Sequence, residues 1–177
     1  MNQYPTLFLS FKDVDGTTFE DALNDLKVIM AKLYKQHEYL LDSNVMDEHD
    51  KGQFTKILCC NGNLTETKGA IFVLMSRISQ YYGKPVVLLI DEYDVPIEKS
   101  ICNNYYKEMY EVMRAIFSTI LKDNTTLKFA IVTGCLKSIE EIICTGINDF
   151  VSGRIPTTIY DKYYGFTQED INKFYSY

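Results

Sequence analysis

The chain has 177 residues, of which 46% are hydrophobic and 24% are charged, with 9 Gly and 4 Pro. This length and composition predict one folded domain with a buried core and exclude a disordered or collagen-like chain. The net charge of −6 argues against direct nucleic-acid binding through a basic surface. No apolar run approaches the roughly 20 residues needed to span a membrane, so no membrane partner is expected.

The cysteines and the N-terminus favour a cytoplasmic location. Five cysteines are an odd number, and no C-x-x-C pair occurs, so a reducing compartment is expected rather than a disulfide scaffold. Residues 1–5 contain no basic region and no long apolar stretch, so no signal peptide is visible. Neither of the two histidines is separated from a cysteine by the spacing that is typical of zinc ligands. No structural zinc site is therefore expected.

Apolar and polar segments alternate along the chain in a way that predicts strands separated by helices. Strands are predicted at residues 6–11, 85–90, 127–133 and 155–160. Helices are predicted at residues 17–41, 53–60, 64–82 and 105–121, with a short one opening at 138–141 and a last one at 167. Thr17 and Glu20 predict a capping box, Gly83 predicts a helix end, and residues 42–51 predict a solvated connection.

Two of the predicted strands, residues 85–90 and 127–133, are apolar at nearly every position. Such continuity is typical of interior strands in a parallel sheet that is covered on both faces. Because helices separate the strands, the sequence predicts an α/β fold with a mainly parallel sheet and right-handed crossovers.

An acidic segment follows the strand at residues 85–90. In open α/β sheets ligands bind outside the carboxyl ends of the strands, where Asp91 and Glu92 would lie. Asp91 would hold Mg²⁺ directly or through its waters, and Glu92 would orient or deprotonate a water that attacks a phosphate. Asp94 would face the same site or cap the following loop. The plainer interpretation is that these acids follow the strand because the chain meets water there.

The next strand ends in Thr133-Gly134. The Thr133 hydroxyl would read a γ-phosphate or position the attacking water. Alternatively, the pair forms a turn in which Gly134 supplies an unusual backbone angle. Lys137 and Arg154 would neutralise phosphate charge, or are solvated surface cations.

Several segments resemble the predicted AAA-ATPase-like domain, which often precedes a PD-(D/E)xK nuclease-like domain. They are residues 9–34, 81–100, 105–138, 145–150 and 163–171, and the most specific sequences are IDEYDVPI and IVTG. The resemblance implies a three-layer P-loop NTPase-like core that binds and hydrolyses ATP with Mg²⁺. It places Asp91 and Glu92 in Walker B and Thr133 at the end of the sensor strand. Lys137 stands where the family usually has Arg, which keeps the charge but loses bidentate geometry.

The Walker A loop of that family, G-x-x-x-x-G-K-S/T, does not occur in these residues. The family places this loop, and the central strand that leads into it, before the segment that starts here at Tyr4. We therefore expect residues 1–177 to be a partial domain that lacks the Walker A strand and binds ATP weakly or not at all by itself. The edge at residues 127–133 would be unpaired and apolar, which favours self-association.

Two other functions fit parts of the sequence. One is a non-enzymatic, degenerate NTPase-like module that binds protein partners. The other is a Mg²⁺-dependent nuclease that uses Asp91, Glu92 and Asp94. Nucleases of the PD-(D/E)xK type need a Lys two residues after an acid on a strand, and no such spacing follows Asp91 or Glu92. The nuclease interpretation therefore ranks last.

Overall fold

The structure, a computed structural model, describes residues 3–135 and 172–173. Its elements are β1 (Thr6–Ser10), α1 (Phe19–Lys35), a 3-10 helix (Glu38–Asp42), α2 (Glu48–Leu58), α3 (Leu64–Tyr82), β2 (Val86–Asp91), α4 (Val95–Cys102), α5 (Tyr106–Leu121) and β3 (Leu127–Val132). All of them belong to one compact unit, Met1–Gly146, and residues 172–173 are a helical fragment of a second, Ile147–Tyr177. The helix openings predicted at 138–141 and 167, and the strand at 155–160, lie outside the described residues.

The three strands form a parallel sheet in the order β1-β2-β3, which confirms the predicted α/β class. The register joins Leu7 to Leu88 and Ala130, so these side chains share one face. The neighbouring row joins Phe8 to Leu89 and on to Ile131, and it shares the opposite face.

The long helices pack against one face of this sheet. Helix α1 contacts β1, α3 contacts β2 and α5 contacts β3, and α3 also contacts both of the other helices. Right-handed crossovers that step in one direction along a sheet place their helices on the same face, which explains this layering. The core between the layers consists of side chains that are at most 1% exposed: Leu7, Leu26, Met30, Ile71, Leu74, Met75, Leu88, Met109, Met113, Ile116 and Phe117.

The described residues leave the opposite face of the sheet uncovered, and that face is apolar. Phe8 is 55% exposed, Phe129 49% and Ile131 48%. Residues 6–10 form a strand, as predicted, but only alternate side chains of β1 are buried, and among the described strands β3 lies at an edge rather than in the predicted interior position. Side chains alternate between the faces of a strand, and the described helices cover only one of them.

Helix α1 (Phe19–Lys35) is shorter than the helix predicted at residues 17–41. Thr18, rather than Thr17, caps α1, because its hydroxyl accepts a hydrogen bond from the Asp21 N–H. The helix ends at Lys35, and a separate 3-10 helix covers the segment up to Asp42.

Two helices differ from the sequence predictions. Helix α2 starts at Glu48, inside the segment predicted as a solvated connection, because the Asp47 side chain caps it through the Asp50 N–H. Helix α4 lies between the predicted strand at 85–90 and the predicted helix at 105–121, where no helix was predicted. Its Asp94 N-cap position and the proline in its first turn are ordinary signals of a helix start.

Helix α3 confirms the predicted bounds. The Asn63 side chain accepts from the Glu66 N–H while the Glu66 carboxylate accepts from the Asn63 N–H, which forms a capping box. At the other end Gly83 adopts φ +62°, a left-handed conformation that favours glycine. Tyr82, the last residue of this helix, is 50% exposed, whereas Ile71, Met75 and Ile78 are buried.

None of the helices in the described ranges combines the length and the apolar character that crossing a membrane requires.

We expect Phe129→Lys to weaken self-association of the chain. A half-exposed Phe on an open sheet face contributes on the order of 1–2 kcal/mol when a second copy covers it, so the dissociation constant should rise about tenfold. Sedimentation equilibrium over a concentration series measures this constant. Val73→Lys, on helix α3 where Val73 is 43% exposed, is the matched control and should change nothing. A wild-type chain that stays monomeric at every concentration contradicts the prediction.

Candidate functional site

Two of the predicted site residues meet at the carboxyl ends of β2 and β3. Asp91 is the last residue of β2, and Thr133 follows directly after β3. The Thr133 hydroxyl lies 2.6 Å from Asp91 Oδ1 and 3.3 Å from the Ile90 carbonyl oxygen. The strand register causes this meeting, because Ile90 pairs with Val132 and the Thr133 N–H donates to the Ile90 carbonyl at 2.8 Å.

The carboxylate of Asp91 is engaged on one oxygen. Oδ1 accepts hydrogen bonds from the Thr133 hydroxyl and from the Glu92 N–H at 3.0 Å. Within residues 3–135 the structure gives Oδ2 no hydrogen bond, and neither Asp91 nor Glu92 has a cationic partner there. A half-buried carboxylate with one oxygen available is suited to a divalent cation.

That carboxylate would need help to hold an ion. No group of three His, Cys, Asp or Glu side chains in the described ranges is arranged as a metal site. Mg²⁺ is usually held by one or two carboxylates together with waters and substrate phosphates, rather than by a cage of protein ligands. The described residues therefore fit a magnesium ion that arrives with a phosphate ligand.

Glu92 adopts an unusual backbone conformation. Its φ is +51°, in the left-handed region that non-glycine residues rarely occupy. Glu92 is skipped in the series of backbone hydrogen bonds between β2 and β3. The Tyr93 N–H, and not that of Glu92, donates to the Thr133 carbonyl at 3.3 Å. Such an extra residue acts like a β-bulge, which turns a side chain away from the regular alternation. Its carboxylate makes no hydrogen bond with another described residue, so it is available to a water.

Asp94 is more deeply buried than the two acids before it. It is 3% exposed, and its Oδ2 accepts a hydrogen bond from the Cys135 N–H at 2.6 Å. It stands at the N-cap position of α4, but its side chain makes no capping hydrogen bond. Neither predicted role describes it fully, because its carboxylate binds the chain that follows β3.

Gly134 is required by close packing. A Cβ at this position would lie 2.5 Å from Tyr93 Cε1 and 2.6 Å from Asp94 Oδ1. Its backbone is not in the left-handed region, so the prediction of an unusual backbone angle is wrong. Glycine is present here because the turn after β3 lies directly against Tyr93 and Asp94.

Other contacts hold the loop that follows β1, at the same end of the sheet. Lys99 on α4 forms an ion pair with Asp15 at 2.6 Å, and this hydrogen bond raises the pKa of the lysine. The Tyr105 hydroxyl donates to the Gly16 carbonyl at 2.6 Å. Burial, together with neighbouring aspartates, raises the pKa of Tyr105, so this phenol remains protonated. Lys137 and Arg154, the predicted phosphate cations, lie outside the described residues.

Comparison with known protein families shows to which family the chain belongs. A family model described as predicted AAA-ATPase matches residues 1–149, which is most of the sequence. The chain belongs to the predicted AAA-ATPase family. No curated protein and no solved structure matches it.

The matched region of this predicted AAA-ATPase contains Asp91, Glu92 and Thr133, and also residues whose contacts the sequence did not indicate. Tyr93 packs edge-on against Phe117 of α5, with ring centroids 6.0 Å apart. The contact of Asp94 with Cys135 spans 41 residues, so no local pattern reveals it. Helix α4 was detectable, because Asp94-Val95-Pro96 is a typical helix start.

Glu92→Gly should stabilise the predicted AAA-ATPase relative to Glu92→Ala. Both changes remove the same carboxylate, but only glycine adopts φ +51° without steric cost, which we expect to be worth about 1 kcal/mol. Urea unfolding of the two variants measures the difference in free energy of unfolding. A glycine variant less stable than the alanine variant would show that the backbone here stores no strain.

Proposed function

We propose that this predicted AAA-ATPase binds and hydrolyses ATP with Mg²⁺, and that Asp91, Glu92 and Thr133 act at the reaction centre. The observation that supports this most strongly is the 2.6 Å hydrogen bond between Thr133 and Asp91 across the carboxyl ends of neighbouring parallel strands. Ligands of open α/β sheets bind at this edge. The family match supports nucleotide use in general, and the specific roles are our proposal.

Asp91 is the proposed ligand of Mg²⁺. Its Oδ1 accepts two hydrogen bonds, which fix the orientation of the carboxylate, and Oδ2 has no hydrogen bond within residues 3–135. Bound together with ATP, Mg²⁺ would neutralise the charge that develops on the phosphates. Asp91 would bind the ion directly or through a water of its shell.

Glu92 is proposed to act on the attacking water. The bulge at φ +51° separates its side chain from the ladder, and the carboxylate has no competing hydrogen bond with the described residues. A carboxylate held within hydrogen-bond reach of a water orients it and accepts its proton as it attacks the γ-phosphate. Glu92 is thus assigned the catalytic base or water-orienting role.

Thr133 is proposed to connect the metal ligand with the γ-phosphate. Its hydroxyl donates to Asp91 Oδ1, and its oxygen retains lone pairs for a water or a Mg²⁺-bound group. Lys137, four residues further on, is proposed to approach the phosphates as a point charge.

The grip on the phosphates is proposed to come from outside residues 1–177. Backbone N–H groups and a lysine in a G-x-x-x-x-G-K-S/T loop provide that grip in P-loop proteins, and this sequence contains no such loop. The residues here would then form a partial domain that supplies the Walker B and sensor half of the site. A cytoplasmic location is part of the proposal, because the thiols of Cys59, Cys60, Cys102 and Cys135 are free.

A second candidate function is a non-enzymatic module that binds a protein. The open sheet face favours it, since Phe8, Phe129 and Ile131 are each about half exposed on one side of the sheet. The two candidates differ in whether Glu92 matters for activity.

Glu92→Gln should abolish ATP hydrolysis by the full-length protein and leave nucleotide binding intact. The amide keeps the size of the side chain but cannot accept a proton, so turnover should fall about a hundredfold or more while the affinity for ATP stays within about threefold. Phosphate release and equilibrium titration measure the two quantities. Glu98→Gln, on the exposed surface of α4, is the control and should behave as the wild type. Unchanged turnover would remove Glu92 from its proposed role.

The 177-residue chain alone should bind ATP and Mg²⁺ only weakly, with a dissociation constant of about 1 mM or higher. One carboxylate and one hydroxyl cannot replace the backbone donors and the lysine of a phosphate-binding loop. Isothermal titration calorimetry tests this directly. Micromolar affinity would mean that the described residues, or those between 136 and 171, already contain the phosphate grip.

A further inference from the structure

We infer that Asp94 is a positioning residue of the proposed ATPase site, because its buried carboxylate fixes the turn after β3 and thereby holds the Thr133 hydroxyl against Asp91. The inference rests on the proposed function and adds to it a residue that does not itself touch the reacting groups.

The burial of Asp94 indicates a specific task. A carboxylate that is 3% exposed costs considerable free energy unless hydrogen bonds compensate it. Capping is not the compensation here, since the side chain makes no hydrogen bond to the first turn of α4. The carboxylate accepts instead from the Cys135 N–H at 2.6 Å, a short bond of the charge-assisted kind.

The turn after β3 is built to lie against this carboxylate. At Gly134 a Cβ would come within 2.6 Å of Asp94 Oδ1 and within 2.5 Å of the Tyr93 ring. Only glycine permits that approach, and Tyr93 is itself fixed against Phe117. The turn therefore has one position, set by α5 on one side and by Asp94 on the other.

Backbone contacts on both sides of Thr133 determine the direction of its side chain. Before it, the Thr133 N–H donates to the Ile90 carbonyl, and the Thr133 carbonyl accepts from the Tyr93 N–H at 3.3 Å. After it, the Cys135 N–H donates to Asp94. The last contact is the shortest of the three and the only one made by a side chain. Within residues 3–135 the backbone of Gly134 and Cys135 makes no other hydrogen bond, so loss of this contact would loosen the turn and, with it, the direction of the Thr133 hydroxyl toward Asp91.

The first test is Asp94→Asn in the full-length protein. The substitution keeps the shape of the side chain and removes the charge that shortens the bond to Cys135. We expect kcat to fall about tenfold while KM for ATP stays within about twofold, because Thr133 contributes to the reaction and not to most of the nucleotide binding. Asp47→Asn, the same change at the N-cap position of α2, is the matched control and should leave both constants unchanged.

A double-mutant cycle shows whether Asp94 acts through Thr133. In the Thr133→Val background there is no hydroxyl to position, so Asp94→Asn should lower kcat less than twofold. Equal effects in both backgrounds would overturn the inference. Gly134→Ala is the second variant, since it displaces the turn while keeping the buried carboxylate, and it should cause the same selective loss of kcat.

Amide hydrogen exchange of the 177-residue chain tests the contact without relying on catalysis. Asp94→Asn should accelerate exchange at Thr133 and Cys135 about tenfold and leave the amide of Leu88, in the middle of β2, unchanged. Unchanged exchange at Thr133 and Cys135 overturns the inference. Wild-type turnover that Glu92→Gln abolishes and Asp94→Asn leaves intact overturns it as well, while the proposed function stands. Absence of turnover in the wild type overturns the proposed function and the role of Asp94 with it.

Discussion

The pairing of two parallel strands determines the geometry of the candidate site. Because β2 and β3 run in the same direction, their last residues emerge at one edge, and the register brings Thr133 to within 2.6 Å of Asp91. A shift of one residue in either strand would exchange the faces and separate the hydroxyl from the carboxylate. The apolar side chains of β2 that pack under α3 therefore specify a polar contact at the edge, although none of them takes part in it.

The two faces of the sheet have different roles in that arrangement. On one face the helices bury Leu7 and Leu88 completely, which fixes the register. On the other, Phe8 and Ile131 are about half exposed in a row that leads toward Asp91 and Thr133. Parallel sheets are normally covered on both faces, so this apolar row is a surface that another layer would stabilise. A layer bound there would also restrict access of water to the polar edge beside it.

The sequence predicted the elements whose signals are local. Strand β2 is apolar throughout and is buried as expected, and Asn63, Glu66 and Gly83 mark the ends of α3 correctly. The same apolar pattern predicted an interior position for β3, which lies at an edge of the described sheet, because the sequence of a strand does not indicate what packs beside it. Helix α4 has only 8 residues, too few to show a clear apolar stripe, so the start signal at Asp94-Val95-Pro96 was its one local indication. The bond between Asp94 and Cys135 has no periodicity and depends on packing between distant segments, so only coordinates reveal it.

Three costly features of the chain's conformation lie at this edge, although left-handed residues also follow the ends of α2, α4 and α5. Glu92 occupies a left-handed conformation, Asp94 is a buried acid, and Gly134 is packed too closely for any side chain. Each lowers stability or restricts the sequence. None is needed to form the sheet, because the pairing of β2 with β3 already ends at Ile90 and Val132. Strain that persists at one location does so because the surroundings enforce it, and such locations are commonly functional. This combination supports the proposed site over the second candidate function, because a fold that only presents an apolar face to a partner would gain nothing from a left-handed Glu92 or from the buried carboxylate of Asp94.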